Sequence, residues 1–190
     1  MRKIIVSIFV SLDGVMEDPG GSEKSVHGAW TFPYWNDEIG KAKFDELFAS
    51  DALLLGRVTY EGFAAAWPSQ KDDSGFADRM NSLPKYVVSG TMKEAKWNNT
   101  NIIKGNIPVE VAKLKEKPGQ DILIGGSRTL VRTLMQHDLI DKYRLLVYPI
   151  VLGSGKRLFE EGSHAKLNLV ECKHFSSDVV LLEYQSDKKE

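Results

Sequence analysis

The stretch Asp121-Ile-Leu-Ile-Gly-Gly-Ser-Arg-Thr-Leu-Val-Arg-Thr-Leu-Met135 holds the pattern around which the rest of the chain is organised. Ile122 to Ile124, closed by Gly125, form an apolar run too short for a helix and bounded by a turn signal, so a strand is expected there. Leu130, Val131, Leu134 and Met135 then fall on one side of a 3.6-residue period, which predicts a helix. Between the two, Gly125 and Gly126 allow the backbone to come close to a ligand, and Ser127 can cap the helix. A helix N-terminus reached through glycines attracts phosphate, because its unpaired N–H donors and the positive end of its dipole point the same way. An ordinary strand-to-helix turn carries the same pattern, so the motif needs company elsewhere in the chain.

That company lies at the ends of other apolar runs. Lys3 to Ser11 is rich in β-branched residues and reads as a strand buried on both faces of a largely parallel sheet. It ends at Leu12-Asp13-Gly14, either a plain turn or a ligand-facing strand end, which makes Asp13 a candidate. Asp51 to Leu55 is a second buried strand, delivering Gly56-Arg57-Val58-Thr59 ahead of a helix over Tyr60 to Ala66. Lys85 to Ser89 is a third, ending in Ser89-Gly90-Thr91. Asn101 to Ile103 is a weak strand, and Pro108 to Lys115 reads as a helix with proline in its first turn. Further on, Asp141 to Pro149 is a strand, and Lys166 to Phe175 with Val179 to Gln185 predicts an antiparallel hairpin. Alternating strands and helices give an α/β fold, a mainly parallel mixed sheet with helices on both faces closed by the C-terminal hairpin. One domain over residues 1–185 is expected, with 186–190 as a frayed tail.

Between the first strand and the second, Met16 to Trp35 is irregular and carries Trp30, Phe32, Tyr34 and Trp35. A loop of this length in a small domain is usually functional or disordered, and its aromatics argue against disorder. Asn36 can cap the next helix, with Asp37 and Glu38 at the positive end of its dipole and Phe44, Leu47 and Phe48 as its buried stripe.

The 190 residues are 42% hydrophobic and 27% charged, enough for one globular core. A net charge of -1, with no block of like charge, leaves no electrostatic footprint for nucleic acid or an anionic membrane. The apolar run near the N-terminus is too short to span a bilayer and is followed by Asp13 with no small-residue cleavage pattern. The one cysteine, Cys172, sits in an expected strand as a buried thiol, which suits a reducing compartment, and a cytoplasmic location is expected. His27, His137, His164 and His174 have no metal-ligand spacing, so no metal is expected.

Together, Ser11-Leu-Asp-Gly14, Leu54-Leu-Gly-Arg-Val-Thr-Tyr60, Val88-Ser-Gly-Thr91, Ile124-Gly-Gly126 and Pro149-Ile-Val-Leu-Gly-Ser-Gly155 resemble the dihydrofolate reductase superfamily. The resemblance is closest to the branch of the reductase domain of bacterial riboflavin biosynthesis. It implies a dihydrofolate reductase-like fold and NADPH as cofactor. It gives Gly56, Arg57 and Thr59 roles at the dinucleotide phosphates, Ser89, Gly90 and Thr91 contacts near the adenosine 2′-phosphate, and Gly125, Gly126, Ser127, Arg128 and Thr129 the pyrophosphate. It also implies a homodimer, for which the apolar segment Leu145 to Leu152 offers a surface. Two departures bear on the substrate. Members that reduce the riboflavin precursor carry an acidic residue before the paired glycines, where this chain has Ile124. The carboxylate that follows Trp30 and Pro33, Asp37, is not at the spacing of the true dihydrofolate reductases.

A hydride from the nicotinamide then needs a small acceptor held against the ring, a proton and a dry pocket. Asp13 and Asp37 are the candidate proton relays, and Trp30, Trp35, Phe63 and Tyr148 the candidate acceptor pocket, with plain core packing as the alternative for the aromatics. The expected activity is NADPH-dependent reduction of a small heterocyclic or carbonyl-type acceptor other than dihydrofolate. Two alternatives remain: a non-catalytic NADPH-binding protein of the same fold, and a phosphate-ligand module without nicotinamide.

Overall fold

In the computed structural model, which describes residues 1–187, the apolar runs form one eight-stranded sheet in the order β4-β3-β2-β5-β1-β6-β8-β7. The strands are β1 Ile4–Ser11, β2 Ser50–Gly56, β3 Lys85–Val88, β4 Thr100–Ile103, β5 Asp121–Ile124, β6 Lys142–Tyr148, β7 Leu167–His174 and β8 Val180–Ser186. The helices are α1 Asp37–Phe48, α2 Arg57–Ala66, α3 Phe76–Ser82, α4 Ile107–Glu116 and α5 Arg128–Gln136. Every pairing from β4 across to β6 is parallel, whereas β8 runs antiparallel to both β6 and β7. This is the expected mixed sheet with its closing hairpin.

The central strands lack the hydrophobic-polar alternation of a half-exposed sheet because helices cover both faces. On one face Ile4, Val6 and Ile8 of β1, with Ile122 and Ile124 of β5, pack against Val111 of α4 and Leu130, Val131 and Leu134 of α5. On the other, Ile5, Leu53, Leu55 and Leu123 pack under Leu47 of α1, Tyr60 of α2 and Met80 of α3. β5 lies between β2 and β1, so the C-terminal ends of β3, β2 and β5 stand side by side along one rim. In open α/β sheets such a rim is where ligands bind.

Several local expectations need correction. α2 begins at Arg57, so Gly56 is its N-cap and Arg57 to Thr59 are its first turn. The buried residues of α1 are Ile39, Glu46 and Leu47, while Phe44 and Phe48 stack on each other with centroids 4.1 Å apart and Phe48 is exposed. Cys172 is exposed, because β7 is an edge strand with no helix over it and Asn168 to His174 are all solvent-facing. The segment Leu145 to Leu152 is covered by its own chain except at Val151, whereas Leu169 and Val170 of β7 are exposed neighbours on an edge strand. Ser186 closes β8, its hydroxyl bonding the Ile140 carbonyl, and the Asp187 N–H bonds that of Lys166. Of the expected tail, residues 188–190 lie outside the described residues. No helix among the described residues is long and apolar enough to cross a membrane.

Candidate active site

Two glycine turns, one after β2 and one after β5, interlock at the rim. A Cβ added to Gly56 would overlap the side chain of Ser127, and one added to Gly126 would stand 3.0 Å from Cγ2 of Thr59. Gly126 also has φ +155°, a conformation that L side chains rarely adopt. The turns pack this closely because both lack side chains at the contact. Ser127, itself at φ 82°, accepts a bond from the Leu130 N–H and caps α5, as expected. No side chain caps α2, so the donors of its first turn remain open to a ligand.

The two helix starts line one wall of a cavity of about 450 Å³, together with Val88 from the end of β3. Its cations are Arg57, Arg128 and Lys156, and each rests on a carboxylate. Arg57 Nη1 donates to both oxygens of Glu61 at 3.0 and 2.9 Å. Arg128 donates to Glu160 at 3.1 Å, and Arg132 takes the other oxygen of that carboxylate. Lys156 pairs with Glu17 at 2.6 Å. Arg132, with Arg128 behind it, holds the Glu160 carboxyl below its ordinary range, and the Lys156 ammonium does the same for Glu17. Arg57 and Glu61 are both about half exposed, so their pairing contributes about 0–1 kcal/mol and Arg57 can be recruited by an arriving anion at small cost.

A second, larger cleft of about 910 Å³ opens on the α1 and α2 face and meets the first at Thr59 and Ser127. Phe9, Trp35, Asp37, Phe44, Phe63 and Gly125 are among its lining residues. It falls between two apolar clusters, one around Leu53, Leu55 and Met80 and one around Ile39, Leu146 and Phe175. Ser7, Lys43 and Glu46 occupy the gap. The Ser7 hydroxyl donates to Glu46 at 2.8 Å, Lys43 Nζ donates to Ser7 at 2.9 Å and contacts the other Glu46 oxygen, and the ammonium lies 5.1 Å from the Phe9 ring centre.

The family model of the RibD C-terminal domain matches residues 2–181. The chain belongs to that family. It is 33% identical to YyaP of Bacillus subtilis (strain 168) over 96% of this chain and 94% of that one. A riboflavin-biosynthesis candidate from Shewanella sp. PV-4 superposes with a TM-score of 0.78 at 24% identity, covering 98% of this chain and 100% of that one. Dihydrofolate reductase from Enterococcus faecalis, solved as a complex with NADP(H), superposes with a TM-score of 0.62 at 13% identity, covering 98% and 97% of the two chains. This RibD-type domain therefore has a reductase-type fold.

Within it the expected site residues divide. Gly56, Arg57, Thr59, Ser127, Arg128 and Thr129 line the smaller cavity, Gly125 and Gly126 the larger, and Thr59 and Ser127 both. Ser89, Gly90 and Thr91 line neither, although Val88 just before them lines the smaller. Ser89 is buried, and its hydroxyl oxygen accepts the N–H groups of Thr91 and Met92 at 3.3 and 3.0 Å. Trp35, Phe63 and Asp37 line the larger cleft. Trp30 and Tyr148 do not: Trp30 donates to the Glu17 carbonyl at 2.8 Å, and Tyr148 is fully buried edge-on against Phe9, Trp30 and Tyr34.

Asp13 also lines neither cavity. It accepts the Ser11 hydroxyl at 2.7 Å and the N–H groups of Leu152 and Gly153 at 3.1 and 2.9 Å, which hold its carboxyl down at about 2. It is a clip between the end of β1 and the 152–153 turn, fixed as an anion and poorly suited to relay a proton. Ile124 is fully buried on the α4 and α5 face, so a carboxylate at this position of the RibD-type domain would enter an apolar core. Among the described residues, no group of three or more His, Cys, Asp or Glu side chains is placed to hold a metal ion.

Ser7, Lys43 and Glu46 were not among the expected site residues. Ile39, Lys43, Glu46 and Leu47 nevertheless fall on one face of α1, and Ser7 interrupts the apolar face of β1 between Ile5 and Phe9.

Proposed function

We propose that this chain is an NADPH-dependent oxidoreductase that passes hydride to a small heterocyclic or carbonyl-type acceptor other than dihydrofolate. The observation that carries this reading is the interlocked pair of glycine turns, whose helix starts share one cavity that runs into a larger cleft at Thr59 and Ser127. A dinucleotide is a ligand of that form, with phosphates for the helix starts and a nicotinamide for the cleft beyond them. When bound, the nicotinamide supplies the hydride. Thr59 and the turn from Gly125 to Thr129 hold the pyrophosphate and Arg57 the 2′-phosphate, with Ser89, Gly90 and Thr91 close enough in the chain to Val88 to shape the adenosine end. Phe63 and Trp35 border the acceptor space, and Asp37 stands at its rim as a candidate relay.

Thermal denaturation tests the cofactor. A ligand at about 100 times its dissociation constant adds roughly 2.7 kcal/mol, so excess NADPH should raise the melting temperature clearly. No shift at millimolar NADPH would overturn the reading.

A homodimer is proposed as well, supported by the uncovered Leu169 and Val170 on the edge strand β7. Light scattering that gave only the 21.3 kDa monomer at micromolar concentration would refute it.

A further inference from the structure

The cleft's inner wall is polar where packing alone would make it apolar. Across the sheet, Ser7 of β1 pairs in register with Arg144 of β6, and Arg144 with Glu183 of β8. One row further along on the same face, Phe9, Leu146 and Leu181 are all apolar. α1 lies over the polar row and brings Lys43 and Glu46 to it. Glu46 pairs with Lys43 and stands 3.5 Å from Arg144, Arg144 stands 3.5 Å from Glu183, and Glu183 takes the Lys142 ammonium at 2.6 Å. These pairs join three cations to two carboxylates, so the row holds one positive charge more than it neutralises.

Stability gives little reason to keep such a row. Both carboxylates are nearly inaccessible, Glu46 at 5% and Glu183 at 6% exposure. Replacing a buried charge network by well-packed apolar residues is often neutral or stabilising. The bonding is also incomplete: Arg144 Nε is buried and meets Glu46 by charge, without a hydrogen bond. Only Ser7, Lys43 and Glu46 of this row line the cleft. Ligand space therefore meets a cation of the row at Lys43, whose stem is fixed on α1 and whose ammonium is held by Ser7, Glu46 and the face of Phe9.

We infer that the Lys43 ammonium is the hydrogen-bond donor that receives the hydride acceptor. The acceptor class is then a planar compound with a polarised C=O or C=N bond whose heteroatom points at Lys43. This rests on the reductase reading above. As hydride from the reduced nicotinamide bonds to the acceptor carbon, the π pair of C=O or C=N moves onto the oxygen or nitrogen. A proton from Lys43 neutralises it, and solvent water reprotonates the amine. The nicotinamide is oxidised by two electrons and the acceptor reduced by two. An ammonium already oriented by Ser7 and Glu46 needs no reorganisation as that charge develops.

The test uses the full chain with two probes, menadione for C=O and 7,8-dihydrobiopterin for C=N. Each is titrated by calorimetry with and without saturating NADP⁺ and assayed for NADPH oxidation. Binding or kcat/KM for at least one probe should fall roughly 10- to 150-fold in Lys43→Met, while the NADPH dissociation constant stays within about twofold. Lys43→Arg, which keeps a cation, should retain part of the affinity. Equal probe binding and turnover in wild type and Lys43→Met would overturn the inference, as would wild type that binds NADPH but neither probe. Should Lys43→Met fail to fold, acetylation of wild-type lysines followed by mass spectrometry decides. Bound probe should protect Lys43, and an unchanged acetylation rate would overturn the inference. Failure of the reductase reading has its own signature, loss of all NADPH binding in the wild type, and the probe titrations without cofactor still report on Lys43.

Discussion

Glu61→Gln should tighten NADPH binding, a gain of function that follows from where Arg57 rests. Arg57 lies in the first turn of α2, at the wall of the smaller cavity, with both Glu61 oxygens accepting from its Nη1 at 3.0 and 2.9 Å. The two side chains are 46% and 50% exposed, so their pairing contributes about 0–1 kcal/mol. A 2′-phosphate that recruits Arg57 gives up that pairing and gains charged hydrogen bonds of about 1.5 to 3 kcal/mol. The net gain is about 0.5 to 3 kcal/mol, and Arg57→Gln should weaken NADPH roughly 2- to 150-fold. Glu61→Gln removes the competitor for Arg57 and should tighten NADPH by up to about fivefold. Glu61→Gln in an Arg57→Gln background should do little, because the two changes act through one contact. Calorimetric titration with NADPH and NADH reads all three variants. NADH lacks the 2′-phosphate and should move less than about twofold throughout. Equal losses for both cofactors in Arg57→Gln would refute the 2′-phosphate role.

Three more changes probe the scaffold around the site. Gly126→Ala forces a side chain into φ +155° and to within 3.0 Å of Thr59; strain of about 1–3 kcal/mol should lower the melting temperature, and NADPH affinity should fall more than about tenfold, so unchanged affinity would remove this turn from the cofactor site. Lys85 is fully buried, with its ammonium on the carbonyls of Asn81, Leu83 and Asn98, and burial pushes it down to about 8. Between about 8 and its ordinary 10.5 the unfolded chain binds the extra proton, so stability should rise with pH across that window in wild type and not in Lys85→Met, as read by urea melts at both ends. Asp13→Asn should lower the melting temperature but leave NADPH binding intact. The stabilisation from Asp13 is present above about 3.8 and lost as pH falls toward about 2, so the acid limb of the stability curve should flatten in that variant.

The fold was legible because its signals are local and agree with one another. Apolar runs such as Ile4 to Val10 and Ile122 to Ile124 have no polar alternation, and the glycines and caps that follow them set where the helices begin. What was not legible depended on contacts between distant elements. Cys172 and Leu169 read as ordinary strand residues, and only the sheet order leaves β7 at an edge without a helix above it. Leu145 to Leu152 read as surplus apolar surface, yet α1 and the aromatic loop cover most of it, with Trp30 and Tyr34 set edge-on to Tyr148.

The site divides along the same line. The two glycine turns were readable because backbone behaviour is written locally in glycines and helix starts. Acceptor recognition depends on side chains from different elements, and residue type alone misled at Asp13, Trp30 and Tyr148, each of which is held by its own neighbours instead of facing the cleft. The signal behind the Lys43 proposal is a mismatch in period. On α1 the sheet-facing side carries Ile39, Lys43, Glu46 and Leu47, placing a half-buried cation and a buried carboxylate where apolar residues belong, and the matching face of β1 breaks at Ser7. Either break alone reads as a tolerated surface residue. Two breaks on elements that pack together imply a buried polar contact, whose desolvation cost stability does not repay. The cleft opens at that contact, which makes binding its most direct physical reason.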